Sequence, residues 1–151
     1  MISSIVVDTS VIISALIGPS GPSRKILRQC LHGKFQPLIS NTLFQEYEAV
    51  SSREKILALC PLSVNEVNGL LDAFYSICQW VPVYYLWRPN LPDENDNFLV
   101  ELAIAGNAEC IVTNNIKDIK SSELLFPALH ILTPQELLKG VNHDHPDHPP
   151  A

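Results

Sequence analysis

The chain has 151 residues, a length that suits one domain with its own core and is short for two. Its formal net charge of −6 excludes binding to nucleic acid through overall charge, so a polyanionic substrate would need a local binding site. Only 17% of the residues are charged, against about a quarter in an average protein, which leaves room for an apolar surface that binds a partner or a second copy.

Signals for strands and helices alternate along the chain. A β-branched run at residues 5–7 predicts the first strand, and the glycines and prolines at 18–22 predict a loop. The next signals predict a helix over 24–31 ended by Gly33, a strand over 35–39, and a helix that starts at Ser40 or Asn41 and carries Glu46. A helix from Ser63 to about residue 78 and a strand over 80–85 follow. The last predicted elements are a helix capped by Asp93 and ended by Gly106, strands over 110–113 and 130–132, and a short helix from Pro134 that ends at Gly140.

This alternation predicts the fold class. Strands that alternate with helices imply crossover connections and a parallel sheet, so we expect an α/β fold, a three-layer α/β/α sandwich with a central, mostly parallel sheet. One domain should span residues 1–139, followed by a disordered tail rich in proline and histidine at 140–151, whose histidines allow a metal site as the alternative. Ligands of open parallel sheets bind beyond the carboxyl ends of the strands.

The four cysteines indicate the compartment. Cys30, Cys60, Cys78 and Cys110 are widely spaced in apolar segments and form no C-x-x-C pair, so they match neither a zinc site nor a small disulfide scaffold. They are interpreted as buried thiols in a reducing environment. Because the sequence has no secretory leader pattern and no apolar run long enough to cross a bilayer, we expect a cytoplasmic protein without a membrane segment.

Acidic residues stand at positions that the predicted sheet would bring together. Asp8 follows the first strand, Glu46 flanks the apolar stripe of its helix, Asp96 shares a helix side with apolar residues, and Asp118 follows a later strand. Each of the later acids also has a structural alternative: Asp93 can cap a helix, Asp96 suits the helix dipole, and Asp118 can lie in a surface loop. Gathered in one cleft, these carboxylates would repel one another unless a divalent cation bound them.

The type of these residues predicts their chemistry. Carboxylate and water oxygens are the ligands that Mg²⁺ and Mn²⁺ prefer, and no cysteine or histidine lies near these acids in the sequence to favour zinc. Such an ion can bind a phosphate oxygen, lower the pKa of a water nucleophile and orient the leaving group, which favours phosphodiester hydrolysis. A phosphatase of the Asp-x-Asp type fits less well, because Ser10 stands where its second aspartate would be.

Four segments of the chain, in their order and spacing, resemble a PIN domain. They are Asp8-Thr9-Ser10 after the first strand, Glu46 in a following helix, the run Asp93-Glu94-Asn95-Asp96-Asn97-Phe98-Leu99-Val100-Glu101-Leu102-Ala103, and Ile111-Val112-Thr113-Asn114-Asn115. The ending Ile131-Leu132-Thr133-Pro134-Gln135-Glu136-Leu137-Leu138 is similar to the subgroup of toxins from toxin–antitoxin pairs. The resemblance covers about residues 1–139.

The resemblance implies an activity and a set of functional residues. The protein would be a metal-dependent endoribonuclease that cleaves single-stranded RNA and is inhibited by a cognate antitoxin protein. Asp8, Glu46 and Asp96 would be the catalytic acids that hold Mg²⁺ or Mn²⁺, and Asp118 would be a further metal ligand. The accessory residues near the site would be Ser10, Asp93, Thr113 and Asn115.

Asn115 departs from the family pattern, which often carries a fourth acid in a Thr-x-Asp sequence. An amide oxygen can bind a cation but brings no charge, so the second hypothesis is a catalytically weak or inactive PIN module that binds metal or RNA. Asp118, three residues further on, can take over the role of the missing acid.

Two surface features predict partners. Arg24, Lys25 and Arg28 form a basic cluster that can guide the phosphate backbone of an RNA substrate, or is otherwise a solvated helix face. The aromatic residues between positions 80 and 87, together with the low charged fraction, predict a two-fold homodimer, with burial in the core as the alternative.

Overall fold

The fold is built on a five-stranded sheet with helices packed on it, in a computed structural model that describes residues 2–83, 97–116 and 128–144. The strands are β1 (Ser3–Val7), β2 (Phe35–Ile39), β3 (Gln79–Trp80), β4 (Cys110–Val112) and β5 (His130–Leu132). The helices within these ranges are α1 (Thr9–Ile17), α2 (Pro22–Leu31), α3 (Asn41–Ser51), α4 (Glu54–Leu59), α5 (Val64–Ile77), α6 (Asn97–Ala105) and α7 (Pro134–Asp144).

The strand order is β3-β2-β1-β4-β5, and all four neighbouring pairs are parallel. β1 lies at the centre, where Val6 pairs with Leu38 on one side and with Ile111 on the other. Successive strands move outward from β1 to β2 and β3, and the chain then returns to the other side of β1 to form β4 and β5. The order of the sheet therefore reverses between β1 and β4.

The core lies on both faces of this sheet. Ile5 and Val6 of β1 and Ile111 of β4 are fully buried, as expected for the β-branched strands of a covered parallel sheet. α2 packs against α1, α5 and α7, while α6 lies on β1, β2 and β4. The predicted three-layer α/β/α sandwich is confirmed, with the described sheet entirely parallel.

Local capping signals are confirmed at atomic detail. Ser40 caps α3 by accepting a hydrogen bond from the backbone N–H of Leu43 at 3.2 Å. Ser63 and Glu66 form the expected capping box, in which each side chain accepts from the other residue's backbone N–H. Because a cap satisfies N–H groups that the first turn leaves free, these residues fix where the helices begin.

Gly106 has a different role from the predicted one. It was expected to adopt the left-handed conformation that ends α6, but Asn107 takes that conformation, with φ of 56°. Gly106 is instead required for space, since an added Cβ would lie 2.5 Å from Leu38 Cδ1 and 3.3 Å from Val81 Cγ2. α6 can approach β2 this closely only because residue 106 has no side chain.

Two predicted boundaries are wrong. Within the described residues, the strand expected at 80–85 is present as Gln79–Trp80. Val81 still donates its backbone N–H to the carbonyl of Ile39 at 2.9 Å, and the ladder ends at Pro82, which has no N–H to donate. Residues 84 and 85 lie outside the described residues. The last helix does not stop at Gly140 but continues to Asp144, because a single glycine weakens a helix without ending it. The cap expected at Asp93 and residues 145–151 of the predicted tail lie outside the described residues.

The cysteines are free thiols, two buried and two half-buried. Burial raises the pKa of Cys30 and of Cys110 to about 12, so both stay protonated at neutral pH. In the part of the chain that the structure describes, no helix has the length and apolar character needed to cross a bilayer.

Candidate active site

The candidate site lies where the order of the sheet reverses. Loops that leave β1 and β4 diverge at this point and open a crevice beyond the carboxyl ends of the two strands, which is where open α/β sheets bind their ligands. Asp8 directly follows β1, and Thr113 directly follows β4. The backbone N–H of Asp8 donates to the carbonyl of Val112 at 2.9 Å, so the two strand ends are fixed side by side.

Two hydroxyl groups hold the carboxylate of Asp8. Ser10 Oγ donates to Asp8 Oδ2 at 2.9 Å, and Thr113 Oγ1 donates to the same oxygen at 2.6 Å. Asp8 is only 8% exposed. Neither hydroxyl occupies the second oxygen, Oδ1, so the carboxylate is oriented and still has an oxygen for a ligand.

The same hydroxyls tie the loop after β4 to the start of α1. Ser10 Oγ accepts from the backbone N–H of Asn114 at 3.1 Å, and Thr113 Oγ1 accepts from that of Asn115 at 2.9 Å. The side-chain amide of Asn114 also donates to the carbonyl of Ser10, at 3.3 Å. Each hydroxyl thus accepts a hydrogen bond from a backbone N–H of the loop and donates one to Asp8. Asn115 is held at the same end of the sheet.

Glu46 enters the site from α3. Its neighbour Tyr47 is fully buried and donates its hydroxyl to the carbonyl of Val7, the residue before Asp8. Burial raises the pKa of Tyr47 well above its ordinary value, so the hydroxyl stays protonated and remains a donor. The Ser40 cap and this hydrogen bond together place α3, and with it Glu46, against the end of β1.

The pKa of Glu46, which is half-buried, reflects the electrostatics of the site. Burial raises the pKa of its carboxyl group above the ordinary value of 4.5, and the negative charge of Asp8 raises it further. Smaller opposing effects come from the hydroxyl of Thr9 and the positive charge of Arg53. A carboxyl group whose ionisation is disfavoured by a neighbouring carboxylate is well placed to bind a positive charge in the same cleft.

The cleft has a volume of about 620 Å³. The residues that line it come mainly from α1, with contributions from α3 and from the loop after β4: Asp8, Thr9, Ser10, Ile13, Ser14, Ile17, Gly18, Glu46, Val50 and Asn115. The structure therefore brings together Asp8, Glu46, Ser10, Thr113 and Asn115 of the predicted site. The predicted site residues Asp93, Asp96 and Asp118 lie outside the described residues.

The donor set fits a hard divalent cation. Within residues 2–83, 97–116 and 128–144, no group of three histidine, cysteine or acidic side chains is close enough to hold a metal ion, and the pair Asp8 and Glu46 is what this part contributes. The buried hydroxyl of Thr9 lines the same cleft and has no hydrogen-bond partner of good geometry. Among the described residues that line the cleft, the donor atoms are oxygens and there is no sulfur or imidazole, which suits Mg²⁺ or Mn²⁺ better than zinc.

The PIN domain family matches residues 4–117, three quarters of the chain. This chain belongs to the PIN domain family. Among solved structures, a chain in the crystal structure of VapBC2 from Rickettsia felis bound to a DNA fragment from their promoter is similar, with a TM-score of 0.52 and 20% sequence identity. The likeness covers 85% of this chain and 96% of that one, and it shows the common fold. No curated protein matches the sequence.

PIN domains are in general nucleases. Basic residues of a nuclease can bind the phosphate backbone of its substrate, so the positions of the predicted basic cluster matter. Arg24 donates through Nε to the carbonyl of Ala15 at 2.6 Å, so it is tied to the last turn of α1. Lys25 and Arg28 are exposed, and none of the three lines the cleft. Their contact with substrate stays a prediction.

Two residues near the site were missed in the sequence. Arg53, which directly precedes α4, lies close enough to lower the pKa of Glu46. Neither Arg53 nor Thr9 gave a signal in the sequence, because their positions beside Glu46 depend on how α1, α3 and α4 pack.

Proposed function

We propose that this PIN domain is a metal-dependent endoribonuclease that cleaves phosphodiester bonds of single-stranded RNA. The observation that carries the proposal is the meeting of Asp8 and Glu46 in one cleft, with Asp8 oriented by two hydroxyl groups. A solvated surface pair would need no such orientation. Membership of a nuclease family supports the same conclusion.

In the proposed mechanism Asp8, Glu46 and Asp96 hold Mg²⁺ or Mn²⁺, with Asp118 as a further ligand. When bound, the ion polarises a phosphate oxygen and lowers the pKa of the attacking water. Burial and the charge of Asp8 raise the pKa of Glu46 above its ordinary value, so its carboxylate accepts a proton more readily than that of an ordinary glutamate. Asp93 and Asn115 are proposed as accessory polar residues of the site.

Ser10 and Thr113 act on Asp8 in this mechanism. By donating to Oδ2 they hold the carboxylate in one orientation and leave Oδ1 free of these two hydrogen bonds, so less reorientation is needed when a ligand binds. Arg24, Lys25 and Arg28 are proposed to contact the phosphate backbone away from the cleft.

We further propose that the protein is the toxin of a toxin–antitoxin pair and acts in the cytoplasm. The similar solved structure is a VapBC toxin–antitoxin complex, which supports a cognate antitoxin as partner. The protein is also proposed to form a homodimer. Co-purification with the product of a neighbouring small gene, with loss of RNA cleavage in the complex, tests the antitoxin partner.

A catalytically inactive module is the second candidate, and Asn115 is the observation that favours it. Its side chain lines the cleft where the family often has an acid, and an amide adds no charge to attract a cation. The module would still bind metal or RNA through Asp8 and Glu46.

Cleavage of a fluorescent single-stranded RNA with Mn²⁺ separates the two candidates. Wild type should cleave with Mn²⁺ and stop when EDTA is added, and Asp8→Asn and Glu46→Gln should each lose most of the activity. Glu109→Gln is the matched control, because Glu109 is exposed at the opposite end of the sheet, where it accepts from Ser3 Oγ. Intact RNA with the wild type would establish the inactive module.

A further inference from the structure

A second cleft opens at the same edge of the sheet as the candidate active site. It has a volume of about 270 Å³ and lies where β2 and β3 end, between the first residues of α3 and residues 80–83. Its lining includes Asn41 and Thr42 on one side and Trp80 and Pro82 on the other. The nuclease chemistry proposed above does not use any of these residues.

The strand register places this cleft close to Asp8. Val6 pairs with Leu38 and Ile39 pairs with Trp80, so the residues that follow, Asp8, Ser40 and Val81, come level at the sheet edge. Neighbouring strands lie about 5 Å apart, which puts the second cleft roughly 10 Å from Asp8.

Helix α3 connects the two clefts. Thr42 lines the second cleft and Glu46 lines the first, and residues four apart lie on one face of a helix about 6 Å from each other. Val50, one further turn along, lines the first cleft as well. A single helix face therefore contributes residues to both clefts.

Trp80 gives the second cleft its chemistry. Its side chain is 47% exposed, and it is the largest of the exposed apolar side chains among the described residues. Phe44 packs beside it with ring centroids 5.5 Å apart, and Phe44 in turn packs edge-on against Tyr75 at 4.9 Å. An indole that is held in place from within and open to solvent in a concave site is preorganised to stack on a flat ligand.

We propose that the Trp80 cleft binds a nucleobase of the single-stranded RNA, next to the nucleotide whose phosphate lies at Asp8 and Glu46. This inference rests on the proposed nuclease function. The base stacks on the indole, and the side chains of Asn41 and Thr42 offer hydrogen-bonding groups to the edge of the base. Stacking binds any base, so it supplies affinity to a protein whose net charge of −6 repels the RNA backbone.

A second copy of the chain is the other conceivable occupant of Trp80. A stable dimer buries about 800 Å² on each partner over a broad surface. The Trp80 cleft is small, concave and lined by polar groups on the α3 side, and it is continuous with the active site through one helix face. These features favour a base over a protein partner.

The test measures binding of a short fluorescein-labelled single-stranded RNA in EDTA, where cleavage is prevented, and cleavage with Mn²⁺. Trp80→Ala should weaken binding by about tenfold or more, and Trp80→Phe should retain most of it, because a phenyl ring still stacks. Val64→Ala is the matched control, since Val64 is 53% exposed on α5 and removes apolar surface outside both clefts. It should bind as the wild type does.

RNAs with one abasic position make the test specific. One abasic position should weaken binding to the wild type and leave binding to Trp80→Ala unchanged, which is the coupling expected of two groups in contact. Equal affinity of wild type and Trp80→Ala in a protein that cleaves RNA overturns the base site and leaves the nuclease intact. A change of mass in light scattering with unchanged RNA affinity overturns it in favour of the dimer, and absence of cleavage by wild type overturns both proposals.

Discussion

Thr113 and Ser10 share one acceptor, Asp8 Oδ2, so the orientation of the carboxylate depends on both donors. Thr113→Val keeps the shape of the side chain and removes the shorter of the two hydrogen bonds. We expect metal affinity to fall by about tenfold to a hundredfold, as it does when a group that orients a ligand is lost, and the free energy of unfolding to fall by about 1–3 kcal/mol.

Thr113→Ser is the control, because it restores the hydroxyl and should restore Mn²⁺ affinity in calorimetry. Equal Mn²⁺ affinity of Thr113→Val and wild type would show that Asp8 needs no second donor.

Glu46 makes metal-free stability depend on pH. Because its pKa is raised in the folded state by burial and by Asp8, folding disfavours its ionised form. The cost is absent below about pH 4, where the carboxyl group is protonated in both states, and it grows as pH rises through the raised pKa. In EDTA, Glu46→Gln should therefore melt above wild type at about pH 8, by up to about 3 °C, and match it at acid pH.

Thermal melts across pH provide the measurement for Glu46. Glu109→Gln, which removes an exposed carboxylate, should show no such pH-dependent difference. If Glu46→Gln is less stable than wild type at about pH 8, the folded protein stabilises the ionised carboxylate of Glu46, which would contradict the prediction.

Asn115 decides between the nuclease and the inactive module. If the cleft is a working but weakened nuclease, Asn115→Asp should tighten metal binding and raise Mn²⁺-dependent cleavage by about tenfold, which corresponds to about 1.4 kcal/mol of transition-state stabilisation. If Asp118 already supplies the missing charge, Asp118→Asn should abolish cleavage while Asn115→Asp changes little. RNA left intact by wild type and both variants would support the binding module.

At the level of whole elements, the sequence predicted best what short-range chemistry determines. Ser63 and Glu66 stand three residues apart and bond to each other, so the start of α5 could be read directly. Gly106 could not, because its requirement comes from Leu38, far away in the sequence, which lies against α6 only in the folded chain. Likewise, Trp80 ends β3 because Pro82 cannot extend the ladder, although the apolar pattern continues.

Gly106→Ala tests this packing. The new Cβ would meet Leu38 Cδ1 at 2.5 Å and the carbonyl of Leu102 at 3.3 Å, so side chains must shift and the free energy of unfolding should fall by about 1–3 kcal/mol. Gly69→Ala is the matched control, because Gly69 lies within α5 with nothing within 4 Å of the added Cβ. It should gain about 0.5–1 kcal/mol. Urea unfolding measures both, and equal stability of the two variants would contradict the role of Gly106.

For the molecule as a whole, the topology made the centre of the site predictable. Parallel strands deliver Asp8 and Thr113 to one edge, and the apolar stripe of α3 directs Glu46 to the same place. The sequence pattern alone could not predict the hydrogen bond from Tyr47 to Val7 or the position of Thr9 beside Glu46, since both depend on how α1 and α3 pack.

Divalent cations should stabilise the whole domain if they bind the folded state alone. At a Mn²⁺ concentration about 100 times the Kd, mass action adds about 2.7 kcal/mol to the free energy of unfolding and raises the melting temperature by several degrees. Asp8→Asn should lose this gain, and Glu109→Gln should keep it. A melting temperature of wild type that Mn²⁺ leaves unchanged would contradict metal binding at the cleft.

The order of the strands also determines when the site can form during synthesis on the ribosome. Asp8 is synthesised well before the donor that orients it, because Thr113 follows 105 residues later. β1 must therefore wait for β4 on its open side, although β2 and α3 are synthesised soon after it. The sheet around Asp8 stays unfinished until β4 has emerged from the ribosome. If the domain cleaves RNA as proposed, the message being translated would be protected from cleavage until that point.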